Sequence, residues 1–151
     1  MDKITLAHAD FAALSTEILG QGHLLRFQAG GQSMWPFIRA GDLLTVEPIT
    51  TNTLKIGDIV FCRLSENRLV AHRLIGFTGQ DQSLQWVLRG DAVISFDEIV
   101  HSEQVLGRVV RVQRGSKTID LDRGWRHWLG YLWVKILPAR PFLLRLVRAA
   151  R

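Results

Sequence analysis

The chain has 151 residues, of which 47% are hydrophobic and 22% charged. That composition suits one globular domain with a single core and excludes a disordered or low-complexity protein. Its one cysteine, Cys62, excludes an internal disulfide, and the net charge of +5 is unevenly placed: residues 1–122 carry −2, while 123–151 carry seven basic residues and no acid.

The first twenty residues lack a basic start followed by a long apolar run, so they do not read as a secretory signal. No segment has the roughly 18 uninterrupted apolar residues of a transmembrane helix. The expectation is a cytoplasmic chain, peripheral at a membrane if its tail attaches it.

A short amphipathic helix is expected over about 10–19, with Asp10 as N-cap, Phe11, Leu14, Ile18 and Leu19 on one face, and Gly20 and Gly22 as its stop. Strands follow at Leu24–Ala29, Leu43–Glu47, Asp58–Leu64, Leu69–Gly76, Leu84–Arg89, Val105–Val112 and Lys117–Asp120, each short, apolar and bounded by turn residues. Ser65–Arg68, Thr78–Asp81 and Arg114–Ser116 read as hairpin turns. The fold class is therefore mainly β, a coiled sheet or partly open barrel over 1–122 with a short N-terminal helix. From 123 to 151 comes a basic, aromatic helical tail, which Pro138 and Pro141 interrupt before a further helical turn or two near Phe142–Arg148.

Three places carry candidate chemistry. Ser33 lies in Gly31-Gln32-Ser33-Met34-Trp35-Pro36, where Gly30 and Gly31 permit close backbone approach and Pro36 fixes the chain beyond it. It is either an exposed nucleophile or a loop serine capping the next element. His72 falls within an apolar strand pattern, as a general base or as a satisfied core histidine. Asp42, Asp58 and Asp91 each follow a glycine and read first as turn formers that bond nearby amides. Asp97 either supports an imidazole or caps a turn over 97–100. His8, His23, His101 and His127 lack metal-ligand spacing, Cys62 reads as a small buried apolar residue, and neither metal nor cofactor is expected.

Together the segments Gly31-x-Ser33-Met34-x-Pro36 with Gly41-Asp42, Gly57-Asp58-Ile59-Val60, Val70-x-His72-Arg73-Leu74-Ile75, Arg89-Gly90-Asp91-x5-Asp97 and Val105–Val110 resemble the ordered boxes of the signal peptidase I superfamily, whose fold LexA-type self-cleaving repressors share. The resemblance covers about 24–112. With His72 where the bacterial enzymes have lysine, the chain is similar to the archaeal and endoplasmic-reticulum branch. The resemblance implies a coiled β peptidase fold, Ser33 as nucleophile, His72 as base, Asp97 as supporting acid and Asp91 as a structural residue or second acid. Gly31, Met34 and Pro36 would meet the substrate. The family's transmembrane helix before the serine box and the repressors' DNA-binding domain are both missing from residues 1–30. The implied activity is thus serine endopeptidase processing of an extended peptide or precursor protein, against a non-catalytic peptide-binding or membrane-tethering module on the same fold.

Trp125, Trp128, Tyr131 and Trp133 share the tail with its seven basic residues. That mixture fits an anionic membrane surface, and equally a helix packed on the sheet or on a protein partner. No base-reading motif accompanies the charge, so nucleic acid is not expected.

Overall fold

The computed structural model describes residues 7–49, 53–80, 83–93, 97–122 and 125–136, the side chains of 125–127 excepted. Helix α1 (His8–Gly20) leads into strands β1 (Leu25–Gln28), β2 (Leu43–Pro48), β3 (Ile59–Arg63), β4 (Leu69–Thr78), β5 (Gln85–Arg89), β6 (Glu98–Val100), β7 (Val105–Arg114) and β8 (Lys117–Asp120), and helix α2 (Trp125–Lys135) follows. The strands form one antiparallel sheet in the order β1-β2-β7-β3-β4-β5-β6, with β8 on the C-terminal half of β7. The sheet is not closed into a barrel.

All seven expected strands are present. The addition is β6, only three residues long, in a segment expected to be a turn. Turn chemistry sets the hairpins. Between β3 and β4, Glu66 and Asn67 both have positive φ (58° and 59°), the backbone of a type I′ turn whose twist matches the flanking strands. Between β7 and β8, Arg114 pairs with Lys117 across Gly115-Ser116. After β4, Ser83 Oγ donates to the Gln80 carbonyl at 2.7 Å, and the expected turn over Thr78–Asp81 lies partly outside the described residues.

In β3, alternation buries both faces. Ile59 and Phe61 join an apolar cluster with Leu44, Val46, Val109 and Val112, while Val60 and Cys62 join a second with Leu74, Trp86, Leu88 and Val100. Each fully buried large side chain contributes roughly 1.5–3 kcal/mol. Cys62 is fully buried, which pushes its thiol pKa up to about 12, so it behaves as a small apolar residue.

Helix α1 closes the first cluster through Leu19, Phe11 and Ile18. Two details differ from expectation. Asp10 is not the cap; the helix starts at His8 after Ala7, which makes no side-chain cap bond, and Asp10 stands in the first turn, where its charge suits the helix dipole. Leu14 is exposed, and the inner face instead carries Ala12 and Ser15, whose hydroxyl donates to the Phe11 carbonyl at 2.7 Å. A short side chain there lets the helix lie close to the sheet.

Two of the three Gly-Asp pairs, Gly41-Asp42 and Gly57-Asp58, form turns in the expected way. Asp42 accepts from the Arg39 amide and Asp58 from the Lys55 amide, each at 2.8 Å. Asp42 also takes a two-point ion pair from Arg114, at 2.8 and 2.6 Å. Burial pushes the Asp42 pKa up, but the Arg114 bonds and charge and the Arg39 amide outweigh it and hold it below the usual value.

Helix α2 lies against the body. Its buried side carries Gly130 and Val134, and Trp133 meets Phe37 edge-on at 5.1 Å. Gly57 has φ +102°, and a Cβ there would stand 2.7 Å from the Tyr131 backbone nitrogen. Glycine is required at that contact on both counts. Residues 137–151, including the expected second helical segment, lie outside the described residues.

Candidate active site

Ser33 occupies the turn between β1 and β2. The Trp35 amide bonds to the Gln32 carbonyl (3.1 Å) and the Ile38 amide to the Met34 carbonyl (2.9 Å), while Met34, Trp35 and Ile38 are buried as anchors. The turn is tied to the end of β5 because the Ala92 amide donates to the Ser33 carbonyl at 2.8 Å. Gly90 makes that approach possible. A Cβ on it would lie 2.7 Å from the Ser33 carbonyl oxygen and 3.1 Å from the Ser33 Cβ.

His72 is held in β4 opposite Val60 of β3 and is buried. Its Nε2 lies 3.0 Å from Ser33 Oγ. Its Nδ1 makes a short hydrogen bond with Oε2 of Glu98, and the other carboxylate oxygen of Glu98 takes Arg68 Nη2 at 3.1 Å. Serine, imidazole and carboxylate thus stand in one line. With the carboxylate on Nδ1, the proton of a neutral imidazole sits there and leaves Nε2 free to accept from the hydroxyl.

Burial pushes the Glu98 pKa up, but the His72 hydrogen bond and charge, helped by Arg68, outweigh it and hold the carboxyl below its ordinary value. Glu98 is therefore ionised at neutral pH. The Arg68 side chain is 61% exposed, so it stabilises Glu98 across partly solvated space.

The expected acids are elsewhere. Asp97 pairs with Arg89 and does not reach His72. Strand alternation is the reason: neighbouring residues point to opposite faces, so only one of Asp97 and Glu98 can meet the imidazole. Asp91 is fully buried and takes Arg73 at 2.8 and 2.6 Å, while a third Arg73 nitrogen donates to the Gly57 carbonyl at 2.8 Å. It is a structural partner of the residue after His72.

Beside Ser33 and His72 opens a cleft of about 610 Å³. Phe11 and Phe27 supply an apolar wall, and Ala29–Gly31 and Leu69–His72 run along it. Of the expected substrate-binding residues, Gly31 and Met34 line the cleft and Pro36, which follows a cis Trp35–Pro36 bond, does not. Four contributors escaped the sequence reading: Glu98, Arg68, Gly90 and Phe11. The alternation of Glu98 with Val100 was the available signal for the first, but three residues are too few to establish a period.

Among the described residues no group of three His, Cys, Asp or Glu side chains is placed to hold a metal ion. No helix among them is long and apolar enough to cross a membrane. No family model matches the chain, and no curated protein matches it.

Proposed function

We propose that this chain is a serine endopeptidase acting through Ser33, His72 and Glu98 on an extended peptide or precursor protein. The observation that carries the reading is the unbroken line Ser33 Oγ, His72 Nε2, His72 Nδ1, Glu98 Oε2 at the wall of an apolar cleft. The likeness of the ordered sequence boxes to signal peptidases supplies the substrate class. A lining that includes Ala29–Gly31 and the start of strand β4, Leu69–His72, suits a peptide lying as a strand.

In the reaction His72 Nε2 takes the hydroxyl proton as Ser33 Oγ attacks the peptide carbonyl carbon. Glu98 offsets the charge of the imidazolium, which then gives its proton to the leaving amine as the C–N bond breaks. Water, deprotonated by His72, hydrolyses the acyl-serine and restores the hydroxyl.

The test is labelling by a fluorophosphonate probe. Wild type is expected to form a covalent adduct that Ser33→Ala and His72→Ala abolish. Folded wild-type protein that neither labels nor cleaves a peptide library would overturn the peptidase reading and leave a cleft that holds peptides without turnover.

A further inference from the structure

Helix α2 has two faces, and only one is used. Gly130, Trp133 and Val134 face the body, where Gly57 and Phe37 receive them. On the other side Trp128, Tyr131 and Leu132 are exposed at 58%, 39% and 38%, and Lys135 sits over the Tyr131 ring at 5.3 Å. The spacing 128, 131, 132, 135 is one helical stripe. Three large apolar side chains in a row in water, with a cation at the end, call for an occupant.

We propose that this outward stripe of α2 is a binding surface for an anionic membrane interface. Charge selects the occupant: from 123 to 151 the chain has seven basic residues and no acid, so nothing within the segment neutralises them. Aromatic rings seat at headgroup depth, and lysine and arginine stems reach from apolar surface to phosphate. Because the inner face stays packed on Gly57 and Phe37, the helix joins the body to the bilayer as a fixed part of the domain rather than as a loose tether. The contact reaches the catalytic strand, since Arg73, next to His72, donates to the Gly57 carbonyl and lies 4.9 Å from the Phe37 ring. The inference is independent of the peptidase reading and can be measured on Ser33→Ala protein.

The experiment is co-sedimentation of the full chain with vesicles of phosphatidylcholine alone and of phosphatidylcholine with phosphatidylglycerol. Binding is expected to the anionic vesicles, to weaken with salt, and to blue-shift tryptophan emission. The double variant Trp128→Ala/Leu132→Ala should bind at least ~10-fold more weakly while keeping its melting temperature, because both side chains are exposed. Lys135→Glu provides a charge test on the same stripe and should also weaken binding. Equal recovery of wild type and double variant with anionic vesicles, or no recovery of either, overturns the proposal. Self-association in solution that the double variant loses, with no vesicle binding, also overturns it and assigns the stripe to a second copy of the chain.

Discussion

His72 meets Glu98 through Nδ1, while the residue beside that glutamate, Asp97, turns to Arg89. Two adjacent carboxylates therefore have separable duties. Glu98→Ala is expected to lower the rate of serine acylation by about 10³-fold or more, the scale on which loss of a triad acid acts. Asp97→Asn should stay within about twofold, since it removes only a partly exposed surface pair. Timed labelling of the two variants checks both, and a large loss in Asp97→Asn with a small one in Glu98→Ala would reverse the assignment.

The lowered pKa of Glu98 has a consequence for stability. Its folded value lies below its unfolded value, so the His72 and Arg68 contacts contribute stability above the ordinary carboxylate range. That contribution is lost as pH falls through the lowered folded value. Urea melts of wild type and Glu98→Gln should converge as pH falls below the ordinary carboxylate range. A gap that persists or widens below that range would contradict the direction of the shift.

Gly90→Ala is expected to misplace the nucleophile. The new methyl would strike the Ser33 carbonyl and its Cβ, so the turn must retreat from β5. A displacement near 1 Å at a reacting group costs on the order of 10²-fold in rate. Acylation should fall by about that much while far-ultraviolet dichroism at 25 °C remains that of wild type.

Arg73 and Asp91 are buried together, and removing either leaves the other charge without its partner. Asp91→Ala should cost about 3–5 kcal/mol in chemical denaturation. Replacing both by apolar residues of similar volume should cost less than the single change, and a double-mutant cycle measures the difference.

The strand pattern was legible because alternation and turn residues recur over five or more residues in most strands. Phe61, His72 and Val109 could each be placed on a strand from their neighbours alone. Ser33 and His72 could be paired as candidates from the boxes around them, and the structure brings them together. The carboxylate that meets His72 was not legible. Choosing Asp97 over Glu98 is a one-residue shift, and that parity is set by β6 pairing with β5 through Leu88 and Glu98, a long-range fact. Helix α2 was legible as a helix, but the side it docks by depends on Gly130 fitting Gly57, a shape match with no signature in hydropathy.

The sheet order places β7 between β1-β2 on one side and β3 to β6 on the other. Ser33 hangs from the first group, and His72 and Glu98 belong to the second. These three residues are thus divided between two half-sheets, and among the described strands β7 is the one that pairs with both. β2 pairs with it from Leu43 opposite Gln113 to Pro48 opposite Gly107. During synthesis at about 5–20 residues per second, β2 waits on the order of several seconds for that partner. Until it arrives, no described strand pairs the two groups, and the Ala92 amide bond to the Ser33 carbonyl is the tie between the turn and the end of β5. Formation of β7 therefore completes the strand pairing that holds Ser33 and His72 in one sheet, and it ties their juxtaposition to the last long strand described.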